Sequence, residues 1–175
     1  MTDRTPGLRD EPGSRSGAPA DAASFMRRAI ALSREKMQAG EGGPFGAVVA
    51  KDGRIVGEGW NRVTSSADPT AHAEVVAIRA AAAALGTHDL SGAVLYTSCE
   101  PCPMCLAAAL WARLDAIVYG NDRADAAAID FDDAYFYEQV CKPVDARAVP
   151  MTRLLPEEAR AVFDEWAAKP DKVMY

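Results

Sequence analysis

Ala93-Val-Leu-Tyr-Thr-Ser-Cys-Glu-Pro-Cys-Pro-Met-Cys-Leu-Ala-Ala-Ala-Leu-Trp111 reads as a strand, a tight turn and a helix. Ala93–Ser98 is a short, apolar, β-prone run of the kind that lies buried in a sheet. Cys102–Trp111 has helix-forming residues, with Pro103 at the first helical position, where its missing N–H leaves no orphan. Cys102 and Cys105 are three residues apart, so their sulfurs share one helix face. The positive end of the helix favours anions and should stabilise both as thiolates.

The chain on either side alternates in the same way. Ala116–Gly120 reads as a second strand after the helix. Upstream, Thr70–Leu85 predicts a helix stopped by Gly86, and its Ala80–Ala84 run suits close packing on a sheet. Phe45–Lys51 and Arg54–Trp60 flank Asp52-Gly53, a strong hairpin signal. Ser24 is a good N-cap for a helix with Phe25, Ala29, Leu32 and Met37 near one face, ending at Gly40. Asn61–Pro69 and Asp122–Asp130 read as loops, and Asp132–Val140 as a short helix. Pro156 starts a last helix with Ala159, Val162, Phe163 and Trp166 on its apolar face. Strands alternating with helices imply an α/β sandwich, and a leading hairpin makes its sheet mixed.

Length and composition fit one domain. The 175 residues are 49% hydrophobic and 25% charged, ordinary for a globular chain. Residues 1–23, rich in Pro, Gly, Ser, Arg and Asp, read as a disordered tail before a domain spanning 24–175. The net charge of −6 is a poor match for phosphate backbones, so no nucleic-acid partner is expected and a small molecule is favoured. No apolar run reaches the ~18–20 residues of a membrane helix, and the opening Met-Thr-Asp-Arg-Thr-Pro has no apolar core of the kind a signal peptide carries. A cytoplasmic location is expected. Four Cys do not make a disulfide scaffold at this size, and three of them fall within seven residues.

The chemistry concentrates there. His72, opening the predicted upstream helix, with Cys102 and Cys105 makes three good zinc ligands and leaves a fourth position for water. Zinc brings the pKa of bound water near neutrality. Glu74 is the candidate to move the proton. Residues 72 and 74 do not share a helix face, so they converge only if their helix meets the site end-on. Each piece alone has a plainer reading: a His at a helix start as a cap, Cys-x-x-Cys as a redox or structural pair. Cys99 leaves two alternatives, a buried neutral thiol or the fourth ligand of a closed structural site. Cys141 reads as a small core residue. Ser98 and Glu100 read as turn-shaping residues, and His88 as exposed in a loop.

The pattern His72-Ala-Glu74 with Pro101-Cys102-Pro-Met-Cys105 is the signature of zinc nucleobase deaminases, and the chain resembles the cytidine-deaminase-like superfamily. Gly43-Pro-Phe-Gly-Ala-Val-Val, Asn61 through Glu74, Leu95 through Cys105, Phe131-Asp-Asp133 and the terminal Tyr175 resemble its bacterial guanine deaminases over roughly residues 24–175. The resemblance implies a three-layer α/β/α sandwich with a mixed five-stranded sheet. It implies zinc-dependent hydrolysis of guanine to xanthine and ammonia, with attack at C2. Phe45 would stack on the base and Asn61 would bind its polar edge, with Ala73 also in contact. Asp133 and Tyr175 would discriminate guanine, and Glu138 would be a second acidic group assisting proton transfer or holding the leaving amine. It further implies a homodimer that swaps the 156–175 segment between subunits. The rivals are adenine in tRNA, cytosine or an amino-triazine such as ammeline as substrate, or a non-catalytic zinc-stabilised binding module.

Overall fold

Asp52 and Gly53 both take positive φ, 51° and 71°, the two-residue geometry whose twist matches a hairpin. They join β1 (Gly46–Lys51) to β2 (Arg54–Trp60). The computed structural model describes residues 21–174; the expected tail, save its last three residues, and Tyr175 lie outside them. In chain order, α1 (Ala22–Gln38) precedes the hairpin, and α2 (Val63–Ser66), α3 (Ala73–Leu85), β3 (Ala93–Cys99), α4 (Pro103–Trp111) and β4 (Ala116–Asn121) follow it. Then come α5 (Arg123–Ala127), α6 (Ala134–Cys141), a 3-10 turn at Val144–Ala146 and α7 (Pro156–Ala168).

The sheet order is β2-β1-β3-β4, with β1 antiparallel to both neighbours and β3 parallel to β4. The expected α/β/α sandwich and mixed sheet are present, but with four strands rather than five. The capping box between Asp122 and Asp125 turns the chain into α5 directly after β4. No later described residue is in a strand, so β4 stays an edge.

Alternation along the strands builds two cores. Ala47, Val49, Ala93 and Leu95 face α3 and α4, meeting Ala73, Ala77, Ala81 and Ala109. Val48, Ala50 and Tyr96 face α1, meeting Phe25, Ala29 and Leu32. On β2, glycines replace side chains towards α3. A Cβ on Gly57 would lie 2.4 Å from the Ala77 carbonyl oxygen, and one on Gly59 2.2 Å from that of Ala73. Only hydrogen fits there, so helix and strand backbones lie in contact.

Several boundaries differ from expectation. α1 starts at Ala22 with Asp21 as N-cap, because the Ala22-Ala23 pair extends the helix past Ser24. Met37 is exposed, since twelve residues beyond Phe25 it has turned about 120° off the buried face. The 61–69 loop holds the single turn α2, and the 122–130 loop holds α5. Cys141 is not a core residue: it is exposed at the end of α6, which buries none of its residues. No described helix is long and apolar enough to cross a membrane.

Candidate active site

Two helix N-termini converge on one point. His72 is the N-cap of α3 and Cys102 the N-cap of α4, both with extended backbone. Glu74 lies in the first turn of α3, and Cys105 in that of α4. The end-on approach expected from the His72–Glu74 spacing is the one observed. It also brings the positive ends of both helices to the same acidic cluster.

His72 Nδ1 lies 3.6 Å from Cys102 Sγ and 3.5 Å from Cys105 Sγ. Zn–S bonds of ~2.3 Å and Zn–N bonds of ~2.0–2.1 Å at tetrahedral angles require S···N edges of about 3.5–3.6 Å. The donor set therefore has the size and chemistry for zinc, and it is the one metal-binding cluster of His, Cys and carboxylate groups found among the described residues. The thiols already divide their charge. Hydrogen bonds from Cys105 and His72 hold Cys102 down at about 4, whereas the hydrogen bond with Cys102 and burial push Cys105 up. His72 is raised, chiefly by Cys102.

Cys99 stands apart from this cluster. It is buried, with Sγ 3.8 Å from the Asp122 carbonyl oxygen, and desolvation raises it to about 11. That is the neutral-thiol alternative, and three ligands rather than four come together. Ser98 Oγ accepts from the Gly46 N–H at 3.1 Å, while Glu100 pairs with Arg123 at 3.1 Å.

Glu74 is buried, and loss of water raises its pKa. Its Oε1 accepts from the Thr97 hydroxyl at 3.1 Å. Asn61 is buried at the end of β2, and its Oδ1 accepts from the Val63 N–H at 3.2 Å. That contact directs the amide nitrogen elsewhere as a donor. Phe45 is half-buried, its ring nearly perpendicular to that of Phe131, with centroids 4.9 Å apart. Ala73 is wholly buried under β2. Asp133 is half-buried at the N-cap of α6 but makes no capping bond; Asp132 takes the local turn contact, accepting from the Ala134 N–H. Burial and the Cys102 charge raise Asp133.

Glu138 is not brought to the cluster. It is exposed and pairs with Lys142 at 2.6 Å. Its neighbour Tyr137 is the residue of α6 turned inward, donating to the Pro101 carbonyl at 2.8 Å under the Arg123 guanidinium. One residue along a helix is about 100° of rotation, which carries Glu138 away. Thr97 and Tyr137 were not singled out by the sequence reading. For Thr97 a signal was available: a hydroxyl interrupts the apolar row Ala93, Leu95 on the face of β3 towards α3.

Comparison with known proteins accords with this geometry. Residues 19–121 match the family described as the cytidine and deoxycytidylate deaminase zinc-binding region. Guanine deaminase of Bacillus subtilis is 48% identical over 152 residues, which cover 87% of this chain and 97% of that one. The chain belongs to the zinc-dependent deaminases of this family, among the bacterial guanine deaminases. The X-ray structure of the Bacillus subtilis protein superposes with a TM-score of 0.85 over 87% of this chain and 98% of that one. Guanine deaminase from Nitrosomonas europaea is 32% identical with a TM-score of 0.62, covering 89% and 88% of the two chains. A tRNA-specific adenosine deaminase of Agrobacterium fabrum is 38% identical over 122 residues, 70% of this chain and 80% of that one.

Proposed function

We propose that this protein hydrolyses guanine to xanthine and ammonia. The observation that carries the reading is a three-donor zinc cluster beside a buried carboxylate, in a chain 48% identical to a guanine deaminase along nearly the whole of both. His72, Cys102 and Cys105 would hold the metal. When bound, zinc supplies a Lewis acid and an activated water at neutral pH.

The chain's own groups do the rest. Glu74, kept from water and raised in pKa, takes a proton from the attacking water and delivers it to the departing amine. Phe45 offers a ring face to the planar base, steadied by its T-shaped contact with Phe131. Asn61 donates to the acceptors on the guanine edge, and Ala73 packs beside it. Asp133, without a capping duty, accepts from the N–H groups of the base. Glu138, exposed and paired with Lys142 in the single chain, is the second acidic group, assisting proton transfer or holding the leaving amine once the partner segment covers the site.

The same reading includes a homodimer that exchanges the 156–175 segment. Its support is that α7 buries none of its residues and leaves Val162, Phe163 and Trp166 exposed, while α4 exposes Leu106, Leu110 and Trp111. Apolar faces of this extent are covered by a second surface in a stable protein. Tyr175, which follows Met174 beyond the described residues, is then the lid over the neighbouring site.

The test is ammonia release from guanine, adenine, cytosine, ammeline and tRNA, side by side. Guanine should be consumed fastest, and a faster rate on any of the others would overturn the reading. Glu74→Gln should retain zinc and lose on the order of 10²–10⁴-fold in turnover.

A further inference from the structure

We propose that Thr97 is a positioning residue that aims the Glu74 carboxylate by donating a hydrogen bond to Oε1. The inference deepens the functional reading above and rests on it.

The argument begins with the pattern of β3. Ala93 and Leu95 belong to the core facing α3, whereas Tyr96 belongs to the core facing α1. Thr97 continues the first row, and only 1% of it is exposed. Packing alone gives no reason for a hydroxyl there. Valine has nearly the same shape and brings no polar group to satisfy, and burying a hydroxyl is unfavourable unless it finds a partner. The partner it has is the Glu74 carboxylate, 3.1 Å away on another element.

The mounting is rigid on the Thr97 side. β3 is an inner strand, and Thr97 pairs in register with Ala47 of β1 and Tyr119 of β4. A β-branched side chain on such a strand has few χ1 choices. Glu74 is different, with three rotatable side-chain bonds in the first turn of α3. A hydrogen bond from the sheet to one carboxylate oxygen removes that freedom. General acid–base groups must be placed to within about half an ångström, and a misplacement of ~1 Å costs on the order of a hundredfold in rate.

The experiment measures kcat and KM for guanine, per bound zinc, in the wild type, Thr97→Val and Thr97→Ser. Counting per zinc separates turnover from loss of folded protein or metal. Thr97→Val is expected to lower kcat about ten- to a hundredfold, as for loss of a hydrogen bond to a charged group. Its KM should stay within about twofold, since the base contacts are untouched. Thr97→Ser, which keeps the hydroxyl, should recover most of the loss. A Thr97→Val enzyme within about twofold of wild-type kcat overturns the proposal. So does a Thr97→Ser enzyme as slow as Thr97→Val, because the defect would then follow shape and not the donor. A wild type inactive on guanine takes down the functional reading and this one together, whereas an active wild type with an unimpaired Thr97→Val removes only the role of Thr97.

Discussion

α1 and α7 carry the same kind of sequence and meet opposite fates. α1 lays Phe25, Ala29 and Leu32 against the sheet and buries all three. α7 has an equally clear apolar face, yet Phe163 is 76% exposed and Val162 59%. Amphipathic pattern sets which face of a helix seeks cover, and the rest of the chain decides whether cover exists. For α1 the face of β1 and β3 is available. The chain leading to α7, Val149, Met151, Leu154 and Leu155, is exposed throughout, so the segment reaches away from its own core.

The sharpest break of this contrast is complementation. A chain lacking residues 171–175 and a Glu74→Gln chain should each be nearly inactive on guanine. Co-refolded as a pair, they should regain roughly a quarter of wild-type activity, because random pairing makes half the dimers hybrids, each with one intact site. A hybrid that stays inactive while both parents refold would show that the C-terminal end acts within its own subunit.

Next in size is the contrast between cores. Leu32→Ala should destabilise the protein by about 2–5 kcal/mol, read as a lowered midpoint in urea or heat. Phe163→Ala, in dilute solution where subunits separate, should change stability by less than about 0.5 kcal/mol. It should instead weaken dimerisation by tenfold or more, on the order expected of a buried aromatic anchor. A strong loss of monomer stability would mean that α7 packs on its own chain.

The smallest effect lies on the solvent side of α1. Arg28 grips Glu58 of β2 through two contacts of 2.7 Å, and the hydrogen bonds lower the Glu58 pKa. The folded value lies below the unfolded one. The contribution is therefore full above the ordinary carboxylate range near 4.5 and disappears as pH falls through the lower folded value. Both groups are partly exposed, so Glu58→Gln should cost no more than about 1 kcal/mol at neutral pH. Melting curves of variant and wild type should converge once the pH has fallen below the lowered folded-state value.

Much of this was legible because local rules and tertiary structure agree. Asp52-Gly53 can adopt the hairpin geometry at little cost, and Pro103 and Gly86 mark helix ends by their own backbone limits. The zinc ligands were legible because metal chemistry restricts both residue type and spacing. α5 was missed although Asp122 and Asp125 form its capping box, since five residues carry too little hydrophobic period to announce a helix. The fifth strand came from resemblance alone; Val144-Asp-Ala-Arg-Ala148 alternates apolar and polar residues, but the chain folds there into the Val144–Ala146 turn. Cys141 was misplaced because a Cys at a helix end says nothing about whether that helix is covered. Thr97 was hidden by being a good strand former, so its hydroxyl passed for propensity.

The contact between β2 and α3 has a consequence for how this protein can vary. Gly57 and Gly59 seat the helix on main-chain atoms, with no rotamer between them to take up a change. Elsewhere in a core, one side chain can grow while its neighbour shrinks. Here there is no neighbour to shrink, so the usual compensated drift is closed off. Any added carbon must lift the first turns of α3 and carry His72 and Glu74 with it as a unit, while the cysteines, mounted on α4, stay behind. Sequence change along β2 should therefore collect at its outward positions, such as Ile55 and Glu58, and leave the inward glycines as they are.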